Sequence, residues 1–383
     1  MNVKIELNSY DYDCDVEWVN SELRLSNLAE YWKNKTFIAI DTEFERRTTF
    51  YAKLALVQIF DGDKIFLIDP LSTSCPESLR EVLENPEITK IFHSCKEDLE
   101  VLYTSWNCKL KGLFDTQVAY SFLNSELSIG YAKLVEEFFH LPVDKKETTS
   151  NWIKRPLTDQ QKNYAAKDVL YLLEIFNQQK QNLLDSRFEK LFKQECEELC
   201  LNAVESIDSH ANYQDAKDVW RLNSKQTGLF KSLFEWRELI AREEDKTKNH
   251  IIKDHELVEL SIIAPNEKSQ IRSIKNLHPR SIRIYSTVWL KLISDWRANG
   301  EPLAETVQNP RDVSGLKSLT NKLEKVVKNI AEENQLNPTF LLSKRIIRKL
   351  AQAVITEKLE PPQWKGWRKK LLIEQVKNVE LES

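Results

Sequence analysis

Short runs of apolar residues mark the first part of the chain, and they predict β-strands. The runs extend over Phe37 to Phe44, Leu54 to Phe60 and Lys64 to Ile68. Asp61-Gly62-Asp63 separates the last two, and an Asp-Gly pair between apolar runs is a strong signal for a hairpin. We therefore predict that the sheet begins with antiparallel strands.

A crossover follows the hairpin, because a helix over about Pro76 to Leu83 precedes a strand over Lys90 to Phe92. This arrangement predicts a parallel strand in the same sheet. Ser94 and Glu97 then fit a capping box, which predicts that Ser94 caps the next helix and that Asp98 lies in its first turn. Other helices are predicted over 20–33, 115–123 and 131–139, before a polar loop over 144–151.

A second capping box, from Thr158 to Gln161, predicts the start of a long helix. Tyr164 and Asp168 are four residues apart and therefore share one face of it. Its apolar stripe consists of Ala165, Val169, Leu172, Leu173 and Phe176. From Phe188 onward the pattern is helical, with a polar linker over 298–313. The chain is thus predicted to contain an α/β domain that ends near residue 185, followed by two small all-α domains.

Length and composition are consistent with this division, since 383 residues suffice for two or three domains. Apolar residues make up 41% of the chain, but no apolar run approaches the roughly 20 residues of a membrane span, so we expect no membrane contact. The N-terminal sequence lacks the basic start and apolar core of a signal peptide. The six cysteines include no Cys-x-x-Cys pair and no zinc-spaced group. We expect a cytoplasmic protein with reduced thiols.

Two carboxylates occupy an unusual place, at the end of an apolar strand. Asp41 and Glu43 are two residues apart, so their side chains project from the same face of the strand. Carboxylates that are close together and partly buried repel each other and lose hydration. Protonation, solvent exposure or a bound metal ion could each resolve this conflict.

Other polar residues at partly apolar positions change the balance between these solutions. Asp98 at a helix start, and Tyr164 with Asp168 on one helical face, would meet Asp41 and Glu43 if the helices flank the sheet. Each has an ordinary explanation by itself: a helix-dipole acid for Asp98 and a surface pair for Tyr164 and Asp168. Together they offer hard oxygen ligands that suit Mg²⁺ or Mn²⁺ and not Zn²⁺. A pair of such ions supports in-line attack on a phosphodiester.

Three segments carry these residues: Asp41-Thr42-Glu43, then Phe92-His93-Ser94 leading to Glu97-Asp98-Leu99, then Tyr164-Ala165-Ala166-Lys167-Asp168. They resemble the exonuclease motifs of the DEDD superfamily, in its tyrosine-bearing branch, and most closely those of the ribonuclease D family. Where that family usually has Ser-Asp-Trp, this chain has Ser150-Asn151-Trp152. Further along, 233–242 and 254–260 resemble the helicase-and-RNase-D C-terminal (HRDC) module, and 316–376 resembles a second, more divergent one.

The resemblance implies an RNase H-like mixed-sheet exonuclease domain over 1–185, an HRDC domain over 213–295 and a second HRDC-like helical domain over 314–378. It implies 3′→5′ hydrolysis of RNA ends by two divalent metal ions, with tRNA precursors as the substrate class and nucleoside 5′-monophosphates as products. By position in the motifs, Asp41 would bridge the two ions, Glu43 and Asp168 would complete one site, and Asp98 would support the other. Tyr164 would orient the attacking water.

Residues outside the acidic set are candidates for contact with a single-stranded RNA end. Phe44, Tyr51 and Trp152 could stack on bases, with a role in the core or wall as the alternative for each. Arg155 could meet a phosphate or form a salt bridge. His93 is interpreted as structural.

Charge is uneven along the chain, although the net charge is only −4. Trp364 and Trp367 lie among the basic residues Arg368, Lys369 and Lys370, which predicts an RNA-holding surface, with a solvated helix face as the alternative. We expect a monomer. The alternatives to an exoribonuclease are a 3′→5′ DNA exonuclease and a catalytically inactive RNA-binding scaffold.

Overall fold

The structure is a computed structural model that describes residues 14–142, 147, 149–209, 211–309, 312–356 and 364–381. The predicted loop over 144–151 therefore lies partly outside the described residues. The chain forms two compact units. The first consists of the residues up to Glu45, Ala52–Asp208 and the residues from Gly315 onward; the second consists of Arg46–Tyr51 and Ser209–Ser314.

A mixed sheet lies at the centre of the first unit. Its described strands are β1 Val16–Val19, β2 Phe37–Glu45, β3 Lys53–Phe60, β4 Ile65–Ile68, β5 Thr89–Phe92 and β6 Leu113–Asp115. They run in the order β1-β4-β3-β2-β5-β6. The predicted hairpin is confirmed: β3 is antiparallel to β2 and β4, and Gly62 has the positive φ that its turn requires. The predicted parallel strand is confirmed as β5, which pairs with β2. Two outer strands were not predicted, β1 beside β4 and β6 beside β5.

Helices cover both faces of this sheet. On one face, Ile38, Ile40 and Val57 join an apolar core with residues of the first three helices. On the other face, the helix that begins at Asp159 packs over β2, β3 and β4. The helices of this part are α1 Glu22–Trp32, α2 Glu77–Glu84, α3 Lys96–Trp106, α4 Thr116–Asn124, α5 Tyr131–Phe139, α6 Asp159–Leu170, α7 Leu172–Leu184 and α8 Glu189–Asp208.

The start of α3 differs from the prediction. Ser94 has a φ of 61° and does not cap the helix, which begins at Lys96 without a side-chain cap of its own. Instead the buried Asp115 accepts hydrogen bonds from the backbone N–H groups of Ser94 (3.1 Å) and Cys95 (2.8 Å). Asp115 also caps α4, although the predicted helix included it; it is the last residue of β6. One carboxylate therefore holds two helix starts.

The second capping box is confirmed, because Thr158 and Gln161 exchange both hydrogen bonds of the motif. The long helix predicted from this point is divided into α6 and α7 at Tyr171. Asp168 lies near the end of α6, and Leu172 and Phe176 of the predicted stripe are buried on α7.

The last helix of the first unit, Gly366–Leu381, packs against α8. Glu195 of α8 accepts a hydrogen bond from Trp367 Nε1 (2.7 Å) and forms a two-point ion pair with Arg368, in which Nη2 lies 2.9 Å from Oε1. Trp364 and Trp367 are each 3% exposed. The prediction that these two rings form an RNA-holding surface is therefore wrong, because both are core residues. The helices here are α14 Leu316–Glu333, α15 Pro338–Leu341, α16 Lys344–Thr356 and α17 Gly366–Leu381.

The second unit is helical where the structure describes it, as the pattern predicted. Its core includes the fully buried Trp289, and the buried Arg237 pairs with Glu238 and with Asp254 (2.7 Å). Its helices are α9 Ser224–Glu243, α10 Lys248–Ile251, α11 Asp254–Ile263, α12 Lys268–Arg272 and α13 Pro279–Ala298. Two short 3₁₀ turns, Tyr213–Asp215 and Val219–Arg221, precede α9. The domain boundaries predicted from the sequence stay predictions.

Among the described helices, none combines the length and the apolar character that a membrane span requires.

Candidate active site

Three carboxylates converge at the end of β2. One ligand oxygen from each of Asp41, Glu43 and Asp168 lies within 4.8 Å of the other two. Asp41 and Glu43 project from one face of β2, and α6 crosses that face and brings Asp168 to it. The sequence predicted this convergence, which depends on α6 packing over β2.

Burial and mutual repulsion make the ionised form of these groups costly. Burial, and then the charges of Asp98, Asp168 and Glu43, raise the pKa of Asp41 well above its ordinary value. Burial and the charges of Asp168 and Asp98 raise the pKa of Glu43 to about 9. Burial raises the pKa of Asp168 to about 8, against a hydrogen bond from Tyr164 that lowers it. Without a cation, the site favours bound protons.

Asp98 reaches this site from the other face of the sheet. Thr42 projects from β2 opposite to Asp41 and Glu43, and its hydroxyl donates a hydrogen bond to the carboxylate of Asp98. Asp98 is only 7% exposed, and burial raises its pKa to about 7 although the Thr42 hydrogen bond lowers it. Its oxygens are outside the three-carboxylate group, yet its charge contributes to the raised pKa of Asp41. The charge of Asp98 likewise contributes to the raised pKa of Glu43, so Asp98 borders the three-carboxylate group.

Tyr164 lies one helical turn before Asp168 and donates its phenol to that carboxylate. The indole of Trp152 lies beside the phenol ring, with the ring centroids 6.0 Å apart. Trp152 is 3% exposed, so its ring has little free surface for a base. In this structure Trp152 therefore forms the wall against which Tyr164 rests.

Arg155 is engaged within the protein. Its guanidinium donates to the carbonyl oxygens of Ala55 (2.5 Å) and Trp152 (2.6 Å) and to the buried carboxylate of Asp69 (2.7 Å). These contacts correspond to the salt-bridge alternative and fix the segment that carries Trp152. Phosphate binding by Arg155 would require the loss of these contacts.

The two remaining predicted substrate residues lie in different units. Phe44 of β2 is partly buried and packs against the core that contains Ile38 and Ile40. Tyr51 belongs to the second unit, where its backbone N–H donates to Asp245 (3.0 Å) and its ring meets Phe50 edge to face.

Tyr131 is a residue of this site that sequence reasoning missed. It begins α5, and its phenol donates to the carbonyl oxygen of Lys167 (2.5 Å), one residue before Asp168. Burial, and then the charges of Asp168 and Asp41, raise its pKa well above the ordinary value. The sequence offered no signal for this role, because Tyr131 is an ordinary residue at the start of a predicted helix and belongs to none of the acidic motifs. His93 packs against its ring at 5.6 Å and contacts Thr116 and the carbonyl of Ile129, which agrees with a structural role.

Comparison with known proteins shows which family this chain is similar to. A family model described as 3′-5′ exonuclease matches residues 16–183, and the HRDC domain model matches residues 226–293. Ribonuclease D of Pseudomonas paraeruginosa is 32% identical, with 93% of this chain and 95% of that protein covered. Ribonuclease D of Haemophilus influenzae is 31% identical, with 91% and 88% covered. The chain belongs to the ribonuclease D family.

The fold agrees with this membership. The crystal structure of Escherichia coli RNase D, described as an exoribonuclease involved in structured RNA processing, matches with a TM-score of 0.88 at 29% identity and covers 96% of this chain and 99% of that one. As a member of the ribonuclease D family, the chain is a hydrolytic 3′→5′ exonuclease with an HRDC domain, and the predicted mixed-sheet α/β fold with a helical C-terminal region is confirmed. A second HRDC-like domain stays a prediction.

Ribonuclease D membership implies the use of a divalent metal ion, and the residues present fit one. The donors of Asp41, Glu43 and Asp168 are all carboxylate oxygens, which hard divalent ions prefer. Burial is the main cause of their raised pKa values, and a bound cation would compensate the negative charge that the fold buries there. These three residues, with Asp98 at their border, are the ones that would hold the ion.

Proposed function

We propose that the protein removes nucleotides from RNA 3′ ends by two-metal hydrolysis, that its products are nucleoside 5′-monophosphates, and that tRNA precursors are its substrate class. The observation that carries this proposal is the convergence of Asp41, Glu43 and Asp168 in a chain of the ribonuclease D family. The likeness to a solved exoribonuclease of structured RNA processing supports RNA as the substrate.

The carboxylates would divide the work of holding two ions, Mg²⁺ or Mn²⁺. Asp41 would bridge the two ions, as its position in the family motif implies. Its carboxylate belongs to the group with Glu43 and Asp168, and burial together with the charges of Asp98 and these neighbours raises its pKa. Glu43 and Asp168 would complete one ion site, and Asp98 would support the other. When bound, the ions would activate the attacking water and stabilise charge on the leaving oxygen.

Tyr164 would orient the attacking water with its phenol. The phenol can both donate and accept a hydrogen bond, which suits it to positioning a water molecule. Its hydrogen bond to Asp168 and its contact with Trp152 fix the ring. The phenol is thereby preorganised beside the carboxylate group.

The test is a time course on a 5′-labelled single-stranded RNA and on a DNA of matched sequence, each with Mg²⁺, Mn²⁺ or EDTA. We expect a ladder that shortens from the 3′ end on RNA, nucleoside 5′-monophosphates as products, and no reaction in EDTA. Equal or faster digestion of the DNA would favour a DNA exonuclease. Absence of hydrolysis with any divalent ion, together with retained RNA binding, would favour an inactive scaffold.

Substrate class needs its own comparison. A tRNA precursor with a 3′ extension should be shortened to near the mature end. A control RNA, in which the same extension follows a simple hairpin of equal stability, should be shortened less. If both RNAs are degraded to the same extent, the enzyme is a general exonuclease and the tRNA proposal fails.

A monomeric state and a cytoplasmic location belong to the same proposal, and six cysteines without a disulfide support a reducing compartment.

A further inference from the structure

Gln58 of β3 lies directly opposite Asp41 in the antiparallel pairing of β2 and β3. Side chains of directly paired residues project from the same face of a sheet, with Cβ atoms about 5 Å apart. Gln58 therefore shares the face of Asp41, the face that α6 covers. On its other side it pairs with Leu67 of β4, so it lies in the interior of the sheet.

The side-chain amide of Gln58 makes no hydrogen bond to a described residue. The residue is 0% exposed, and neither Nε2 nor Oε1 has a hydrogen-bond partner among the residues that the structure describes. Buried amides are normally hydrogen-bonded, and an unpartnered one calls for an explanation, such as a functional role or a bound water. An apolar residue of similar size would fill this place at lower cost.

The nearest group on the same face that the strand pairing identifies is the Asp41 carboxylate. That carboxylate has about four acceptor positions on its two oxygens. Some of them face Glu43 and Asp168, where a cation would be held. The two N–H donors of the Gln58 amide match the remaining ones, directly or through one buried water, which typically makes about three hydrogen bonds.

We propose that Gln58 is a positioning residue for Asp41, one that fixes the rotation of the carboxylate from behind the site. It is too deeply buried to touch substrate. Residues that orient a metal-binding carboxylate typically change ion affinity or activity by about 10- to 100-fold when they are replaced. This inference rests on the proposed function, because it assumes that Asp41 holds a divalent ion.

The test compares wild type with Gln58→Met, which keeps the size of the side chain and removes the amide. The melting temperature is measured in EDTA and during titration with MnCl₂, and kcat and KM are measured on a short single-stranded RNA. Gln58→Leu serves as a second variant if the first fails to fold. The matched control is Gln179→Met, because Gln179 of α7 is also buried, at 1% exposure, but its Nε2 donates to the carbonyl of Thr116.

We expect Gln58→Met to melt in EDTA at or above the wild-type temperature, since it removes an unpartnered amide. Its MnCl₂ midpoint should rise by about 10- to 100-fold, and its kcat should fall by a similar factor with little change in KM. Gln179→Met should show the opposite pattern, a lower melting temperature and an unchanged MnCl₂ midpoint.

An unchanged MnCl₂ midpoint and kcat in folded Gln58→Met would overturn the inference and leave the proposed function intact. A wild-type protein whose melting temperature does not respond to MnCl₂ or MgCl₂ would overturn both. The wild-type titration therefore separates a failure of the metal site from a failure of the role of Gln58.

Discussion

Thr42 donates its hydroxyl to the carboxylate of Asp98 and so connects β2 to the first turn of α3. Because side chains alternate along a strand, the same strand presents Asp41 and Glu43 to one face and the anchor for Asp98 to the other. The acidic site is therefore assembled around the end of one strand, from both faces of the sheet.

Replacement of Thr42 by valine tests the importance of this anchor. Valine keeps the shape of threonine but removes the hydroxyl, so the pKa of Asp98, now about 7, should rise further. We expect kcat to fall by about 10-fold near neutral pH, with partial recovery at higher pH as Asp98 ionises. The measurement is the pH profile of kcat. A profile identical to that of wild type would show that the Thr42 hydrogen bond does not position Asp98.

Stability without metal should depend on pH in an unusual direction. The pKa values of Asp98, Asp168 and Glu43 are raised to about 7, 8 and 9, whereas ordinary carboxylates titrate near about 4. The folded state therefore binds more protons than the unfolded state between about pH 4 and pH 9, so the free energy of unfolding decreases as pH rises through this range. Divalent ions compete with these protons, and their stabilising effect should grow with pH.

Melting temperatures in EDTA and in excess MgCl₂, at about pH 5.5, 7 and 8.5, measure both effects. We expect the EDTA value to fall with pH and the gap between the two series to widen. Asp168→Asn is the control, since it removes one of the repelling charges and should flatten the EDTA series. A gap that narrows as pH rises would contradict the account of the carboxylate group.

Part of this fold follows from the local pattern, and part requires contacts distant in sequence. The apolar runs around the Asp61-Gly62-Asp63 turn and the Thr158 capping box contain their own signals, and both were predicted correctly. The start of α3 was predicted wrongly. The backbone N–H groups just before this helix bond to Asp115, about 20 residues later, and the Ser94 side chain does not act as the cap. β1 is four residues long and lies at the sheet edge, so its pattern is too short for detection.

The same distinction applies to the candidate site. Motif spacing led to Asp41, Glu43 and Asp168, and their convergence was predicted on the condition that the helices flank the sheet, which the packing of α6 over β2 fulfils. Tyr131 approaches through the backbone of Lys167, and Gln58 approaches through the register of β3 against β2. Neither relationship leaves a local pattern, so only the folded structure reveals it.

Because Arg368 contacts Glu195, replacing this basic residue of α17 should lower the stability of the protein. Both side chains are largely buried, at 16% and 10% exposure, and Glu195 also accepts from Trp367. Arg368→Ala would leave Glu195 with an uncompensated charge, and we expect the first unit to lose about 3 kcal/mol of unfolding free energy. Urea denaturation measures this loss.

Lys370→Ala is the matched control, because Lys370 is exposed on the same helix. It should change the unfolding free energy by less than about 0.5 kcal/mol. If the two variants are equally stable and both weaken RNA binding, the basic face of α17 contacts RNA after all. If only Arg368→Ala loses both stability and RNA binding, the loss of binding arises from the loss of packing.

The division of labour among the carboxylates can be tested with Asp41→Asn and Glu43→Gln. Each variant keeps the size of its side chain and removes one negative charge. Because Asp41 is the proposed bridging ligand, its loss should be at least as damaging as the loss of Glu43. A larger defect in Glu43→Gln would mean that Glu43, and not Asp41, bridges the two ions.

The central claim is that Asp41 and its neighbours hold the ions on which hydrolysis depends. Its most direct test is the rate of 3′-end shortening of a 5′-labelled RNA by Asp41→Asn, alongside wild type and with the melting temperature in EDTA as a check on folding. We expect a folded variant whose rate falls by about 10³-fold or more at saturating Mg²⁺ or Mn²⁺. A rate within about tenfold of wild type would contradict the account.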